Sequence, residues 1–367
     1  LNRYRHMDED LRAKTKEETD RKCPSCGGTM DFDPKSKGLA CPYCGHTQQI
    51  TEEEEDKVEE KDFLTEEIKE NCDWGVEKKT VVCKSCAAVS VYDALQISDV
   101  CPYCGSNQVT EEKGINTLAP NGVCPFAITD KQAGDNFHKW LKGKLFCPRA
   151  AKTGAKPDSF KGIYLPYWTF DTDAYVVYSA QFGRDREVKD AKGNTRIVTD
   201  WYPTQGTYKK SFDDYAVPGT ERYDGGSLDM IQPFATANSK LYKPEYVAGF
   251  ISERYSIGLQ NGWDIAKKQI RSILEDNITS EIKVKNVASR VRSLVMKIRH
   301  DNIKYKYLLL PIWLSSFKYK QKVYQFMVNG QTGRVGGRTP VSAIRVAIAI
   351  AIVIGIILLV LKLTGEI

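Results

Sequence analysis

The sequence predicts an α+β chain of three unlike parts: two small cysteine-built ribbons, an antiparallel β-rich region with a few helices, and a single apolar helix near the C-terminus. Three observations predict it. Cysteines recur twice as C-x2-C-x14-C-x2-C. The middle of the chain is dense in Tyr, Val, Ile, Phe and Thr, with Gly, Pro and Asp between them. Residues 346–361 form an unbroken apolar run.

The first quartet is Cys23, Cys26, Cys41 and Cys44, the second Cys83, Cys86, Cys101 and Cys104. A two-residue gap lets one tight knuckle present two thiolates to one ion, and two such pairs complete a tetrahedral site. Both second pairs read Cys-Pro-Tyr-Cys-Gly, with Pro setting φ for the turn and Gly free to take positive φ after the last ligand. The spacing predicts two structural Zn2+ sites, closed by sulfur on all four sides and so without the open position a catalytic zinc keeps. Four thiolates also accept iron in a rubredoxin-like site, which is the minority reading. The intervening residues suit a short hairpin: Thr29 to Asp33 out, Pro34 to Gly38 as the turn, Leu39-Ala40 back. His46 lies two residues beyond Cys44 but the quartet is complete without it.

The eight paired cysteines call for a reducing compartment. Cys72, Cys124 and Cys147 lack partner spacing and read as small buried hydrophobes or idle thiols. Across 367 residues the net charge is +6, but it is segregated. Residues 51–70 are dominated by carboxylates and read as a solvated linker, whereas cations such as Arg290, Arg292, Lys297, Arg299, Lys304 and Lys306 crowd the chain after Lys283. The resulting parts are a charged N-terminal helix or tail at 1–20, ribbon 1 at 21–50, an acidic linker at 51–72, ribbon 2 at 73–112, a β-rich α+β domain at 113–340 and a transmembrane helix at 341–363.

Within the β-rich part, Thr129-Asp130-Lys131-Gln132 has the form of a capping box, and Ala133, Phe137, Trp140 and Leu141 follow at helical spacing, which predicts a helix over 130–142. Trp263, Ala266, Ile270, Ile273, Leu274 and Ile278 predict a second over 261–279. His138 reads as a surface imidazole. Tyr164-Leu165-Pro166-Tyr167-Trp168 and Leu309-Leu310-Pro311-Ile312-Trp313 resemble each other and suggest a duplicated strand-bend-strand unit, with Pro at an edge or bulge. Asn329-Gly330 and Gly333 mark a hairpin turn between two strands.

From Val346 to Leu361 a helix would cover about 24 Å of a hydrocarbon core about 30 Å thick, with Arg345 and Lys362 snorkelling at its borders. A soluble helix would show a polar face and this run has none. The opening residues are charged rather than apolar, so a secretory signal is not expected. Arg334, Arg338 and Arg345 precede the span, which places the body on the cytoplasmic side of a single-pass, tail-anchored protein in the cell membrane.

No GxxxxGK[ST], HExxH, GxSxG or GxGxxG occurs, and the four histidines are scattered. The pairs Asp213-Asp214 and Asp171-x-Asp173 read as solvated carboxylates at turns or strand ends. A non-enzymatic role is the expectation. Cations with aromatic neighbours also suit a membrane-tethered nucleic-acid binder, the disfavoured alternative given the acidic linker.

The two quartets resemble transcription-factor-IIB-type zinc ribbons. With Leu165-Pro166-Tyr167-Trp168, Leu310-Pro311-Ile312-Trp313, the Asn329-Gly330-Gln331-Thr332-Gly333 turn and the terminal span, the chain is similar to a bacterial family of membrane-anchored zinc-ribbon proteins associated with phage-shock PspA-type and SPFH-domain proteins. That resemblance implies a scaffold that, with a small membrane partner, recruits PspA-like and SPFH-type proteins to the membrane in envelope stress.

Overall fold

The structure, a computed structural model, describes residues 22–51, 58–63, 78–83, 89–93, 109–112, 120–157, 160–189, 195–221, 225–253 and 255–364. Its strands are β1 (Asp31–Asp33), β2 (Gly38–Ala40), β3 (Thr47–Gln48), β4 (Lys61–Asp62), β5 (Lys78–Cys83), β6 (Val89–Asp93), β7 (Val109–Glu112), β8 (Gly122–Val123), β9 (Lys161–Lys189), β10 (Thr195–Pro218), β11 (Lys240–Leu241), β12 (Ile251–Glu253), β13 (Arg290–Tyr319), β14 (Lys322–Asn329) and β15 (Val335–Gly337). Its helices are α1 (Asp130–Gly143), α2 (Arg149–Gly154), α3 (Gly225–Asp229), α4 (Leu259–Asn286) and α5 (Ala343–Thr364). The class is α+β, mostly antiparallel, with a cysteine cluster near the N-terminus and one apolar C-terminal helix.

Two strands dominate. β9 and β13, of 29 and 30 residues, run antiparallel over most of their length, about 95 Å at 3.3 Å per residue. β10 pairs the outer edge of β9, and β14 then β15 extend the sheet beyond β13. Short strands occupy the remaining edges: β12 lies parallel to the start of β9 and carries β6, β5 and β7, while β8 and β4 flank β13. The strands flanking the second quartet thus continue the large sheet.

Burial along these strands changes character halfway, as their sequences do. From Ile163 to Phe170 and from Tyr305 to Leu314 every residue is buried, because both faces are covered. One face carries Tyr164, Trp168, Phe170, Tyr307, Leu309 and Trp313; the other carries Ile163, Leu165, Tyr167, Leu308, Leu310 and Ile312 under Leu228, Ile231 and Phe234. Beyond Asp171 the pattern alternates: Ala174, Val176, Tyr178 and Ala180 are buried under α4, while the odd positions between them face outward.

Two bulges shape this transition. β10 slips between Phe212 and Tyr215, and β13 slips between Asp301 and Lys304, both at the level of Asp171; Asp214 and Asn302 take positive φ there, 49° and 53°. A further slip between Arg292 and Val295, with Ser293 at φ 53°, returns Arg290 and Arg292 to the face that also carries Val295, Lys297 and Arg299.

The duplication suggested by the two Leu-Pro-x-Trp segments is a helix followed by a long hairpin: α1, β9 and β10 form one unit, α4, β13 and β14 the other. The segments lie against each other, Leu165 opposite Leu310 and Tyr164 opposite Pro311, each inside one continuous strand. Each proline sits at a seam. The outer neighbour of β9 changes from β12 at Tyr164 to β10 at Tyr167, and that of β13 from β8 at Leu309 to β14 at Ile312, so a missing N–H interrupts no ladder.

The same clamp occurs in both units. Gly219 donates its N–H to Pro166 (2.8 Å), and its carbonyl accepts from Ser256 and Ile257; Gly330 donates to Pro311 (2.8 Å), and its carbonyl accepts from Ala127 and Ile128. The Trp168 indole donates to the Ile257 carbonyl (2.7 Å), and the Trp313 indole to the Ile128 carbonyl (3.0 Å). Tyr255 packs on Trp168 and Phe126 on Trp313 in equivalent positions. Ile257 leads into α4 and Ile128 into α1, so each unit's tryptophan holds the start of the other unit's helix. A Cβ at Gly262 would lie 2.9 Å from Trp168, and one at Gly330 would lie 2.6 Å from Phe126.

The capping box at Thr129 and Gln132 is present, and α1 buries Ala133, Phe137 and Leu141, with Phe137 stacked 4.0 Å from Phe326. α4 runs beyond the predicted end because Ile278 and Ile282 prolong the buried stripe in four-residue steps. It stops at Val287, which takes φ 50°, while Arg184 donates to the Asn286 carbonyl. α5 is long and apolar enough to cross a membrane: Ala343–Leu363 has a mean hydropathy of 3.1 and its apolar length is not buried in the body.

Trp168→Phe and Trp313→Phe keep a ring but leave a helix-leading carbonyl unpaired. Each is expected to lower unfolding free energy by about 1–3 kcal/mol in urea titrations of the detergent-solubilised chain, with the two variants alike.

Candidate metal centre

The first quartet is assembled by two knuckles of identical backbone design. Gly27 donates to the Cys23 carbonyl (2.8 Å) and Cys23 donates to the Gly28 carbonyl (2.7 Å). Gly45 donates to the Cys41 carbonyl (3.0 Å) and Cys41 to the His46 carbonyl (2.8 Å). Gly27 and Gly45 both take φ 75°, which explains glycine after each second ligand. The hairpin β1–β2, with β3 beside β2, brings the knuckles together.

All four sulfurs lie within 4.8 Å of one another, with Cys23 Sγ 3.4 Å from Cys44 Sγ and Cys26 Sγ 3.5 Å from Cys41 Sγ. Tetrahedral thiolates about 2.3 Å from a common ion sit about 3.8 Å apart, so the quartet could hold a metal ion with only a small relaxation. Burial pushes the Cys23 thiol up, but the Ser25 and Cys26 amides and the Cys44 thiol outweigh it and bring Cys23 down to about 6. The Cys44 amide holds Cys41 below the ordinary thiol range against burial. Cys44 goes the other way, up to about 12: the His46 amide favours its thiolate, but Cys23 and Cys26 oppose it. Four crowded sulfurs cannot all be anionic unless a cation shares their charge.

This ribbon is seated on the body. Cys23 and Cys41 are buried with Met30, Leu39 and Ala248, and Cys26 and Cys44 face outward. Phe32 donates its N–H to the Ala248 carbonyl (3.2 Å) and packs edge-on against Tyr246, whose carbonyl accepts from the buried Tyr164 hydroxyl (2.9 Å). Ligand geometry is therefore tied to the central sheet through residues 244–249, a contact no cysteine spacing reveals.

His46 places Nδ1 3.3 Å from Ser25 Oγ and is not part of the quartet. His138 is exposed on α1. Of the second quartet, Cys83 ends β5 with its backbone opposite Val109; Cys86, Cys101 and Cys104 lie outside the described residues, as does Cys72. Cys124 and Cys147 are buried, and burial pushes both thiols up, Cys124 to about 12, which leaves them neutral.

The carboxylates read as solvated turn residues are partly drawn inward. Glu60, Asp171 and Asp213 approach within 4.8 Å at the paired bulges. Lys306, itself buried, meets Asp214 at 2.6 Å and Glu60 at 3.5 Å, and Lys304 meets Glu60 at 3.1 Å. Burial, reinforced by Glu60, pushes the Asp171 carboxyl up to about 6 against the Asp214 amide. The lysines balance this cluster from within, and it plugs the boundary between the covered and the open sheet.

A comparison with curated proteins finds an uncharacterized protein, YdjG of Bacillus subtilis, 28% identical over 354 residues, which cover 94% of this chain and 96% of that one. The likeness runs almost end to end. No family model matches the chain, and no solved structure matches it.

Cys41→Ser is expected to lower the bound metal, measured by atomic emission, by one ion per chain and to open residues 22–50 to protease, since a four-ligand site loses most of its affinity with one thiolate. A pH effect follows from Asp171. Its folded carboxyl holds a proton up to about pH 6 against an ordinary value of 3.8, so it contributes stability at low pH that is lost as pH rises. Urea midpoints of the wild type should fall relative to Asp171→Asn between about pH 4 and about pH 6 and run parallel above.

Proposed function

We propose that this protein is a membrane-held adaptor. In this reading both cysteine quartets bind zinc, which all-sulfur closed sites of this spacing favour, and the ions serve folding rather than chemistry. α5 crosses the cell membrane, the body faces the cytoplasm, and protein partners are recruited there. The resemblance to the membrane-anchored zinc-ribbon family names them as PspA-like and SPFH-type proteins, with a small membrane partner, in envelope stress.

The observation that carries the reading is an open face on the far half of the sheet. There Lys209, Lys297 and Arg292 point outward around the exposed Val177 and Val295, and among the described residues no acid pairs with these three cations. The face is bounded by Arg299 paired with Asp301 (2.9 Å) and Arg290 near Asp185 (3.8 Å). Cations around an aliphatic centre suit an acidic protein surface. The same cations are what a nucleic-acid reading would use. The rings on this face argue against it: Arg292 lies 3.9 Å over Trp201, and Arg299 and Lys209 lie over Tyr175 at 5.4 and 5.5 Å, so the chain's own cations already occupy ring surface that bases would stack on.

Affinity capture from detergent-solubilised membranes tests this. The intact chain should retain PspA- and SPFH-type proteins, Lys297→Glu with Arg292→Glu should reduce their recovery about tenfold, and removal of 341–367 should release the body from the membrane fraction. Recovery of nucleic acid instead, with a steep loss on raising salt, would establish the alternative.

A further inference from the structure

The loop between α1 and α2 exposes two large apolar side chains at its tip, Leu145 at 72% and Phe146 at 40%, although Cys147 next to them is buried. Its backbone is fastened to the first turn of α5. Ser342 donates its N–H to the Phe146 carbonyl (2.9 Å), and the Arg345 guanidinium donates to the Leu145 carbonyl (3.0 Å). Val341 and Ile344 are exposed beside it. Lys139, Lys142, Lys144, Arg149, Lys152 and Lys156 follow one another through this stretch with no acid between them. Lys144 lies 4.7 Å over the half-buried Trp140, and Lys152 donates to the Lys142 carbonyl (2.8 Å).

We propose that this loop is a second membrane contact, with Leu145 and Phe146 dipping into the headgroup–acyl boundary and the surrounding cations on anionic phosphates. The inference rests on α5 being a membrane span. Arg345 is the cation at the cytoplasmic border of that span, and a guanidinium bonded to the Leu145 carbonyl holds the loop at the same depth. Two bare apolar side chains flanked along the chain by cations suit that layer, where the tip leaves water and the charges keep it. Free phosphate would satisfy the cations but not the apolar tip. One consequence is orientation: a single helix leaves a body free to swivel, whereas a helix and a loop joined to it fix which face meets the bilayer.

The full-length chain in nanodiscs tests this, with a solvatochromic fluorescent amino acid placed at 145, at 352 within α5, or at 295 on the open sheet. With phosphatidylglycerol present, the probe at 145 should emit blue-shifted and be quenched by shallow brominated lipid, the probe at 352 by deep brominated lipid, and the probe at 295 by neither. Lys142→Glu with Lys144→Glu, or discs of phosphatidylcholine alone, should weaken quenching at 145 about twofold or more. Inorganic phosphate added to detergent-solubilised protein should not reproduce the blue shift. A water-like, unquenched probe at 145 beside a quenched one at 352 overturns the loop contact and leaves the span intact. An unquenched probe at 352 removes the span, and the loop contact with it.

Discussion

Leu165 lies opposite Leu310 because two similar segments cross in antiparallel register at the centre of the molecule, and the rest of the body is hung from that crossing. Around it the indole N–H groups of Trp168 and Trp313 and the carbonyls of Gly219 and Gly330 meet the residues that lead into α4 and α1. The exchange is reciprocal: the residues leading into each helix are held by the tryptophan of the other unit. Buried indoles need acceptors, and helix-leading carbonyls need donors, so each unit satisfies the other. An arrangement of this kind makes the body cooperative, because loosening one hairpin frees the helix of the other unit.

From that centre the sheet extends in one direction as a two-sided core and in the other as a one-sided platform. The change happens in one row. Paired bulges on both neighbours of β9 open a gap at Asp171, and Glu60, Asp214 and Lys306 fill it with compensated charge. Apolar layers could not end there against water without exposing themselves, and an uncompensated carboxylate could not sit there. The linker carrying Glu60 is thus part of the sheet's architecture at this point, and β4 pairs with β13 beside it. The cysteine ribbon is joined to the same core by Tyr246 and Tyr164, so ribbon and platform belong to one framework.

Much of this was legible in the sequence where the signal is local. The capping box at Thr129 and Gln132 announces α1, the Asn329-Gly330 turn announces the hairpin after β14, and the first quartet converges as its spacing requires. Less local features were misjudged or invisible. Pro166 and Pro311 suggested bends between strands, and the structure places both inside continuous strands, because a proline at a seam between successive neighbours costs no hydrogen bond. Asp171 and Asp214 looked like solvated carboxylates because nothing near them in sequence foretells Lys306 and Glu60. α4 outran its predicted end because no glycine or proline stops it and its apolar stripe continues.

By itself, then, the sequence determined the four-thiol knuckles, the capped and striped helices, the switch from continuous to alternating apolar pattern, and an apolar helix long enough for a bilayer. Each depends on residues a few positions apart. Only the tertiary structure decided that the two Leu-Pro-x-Trp segments clasp each other, that each tryptophan serves the other unit's helix, that three cations share one open face, and that Leu145 stands beside Arg345. Such contacts join residues tens to hundreds of positions apart, and their partners are selected by strand register, which a one-residue bulge can reverse.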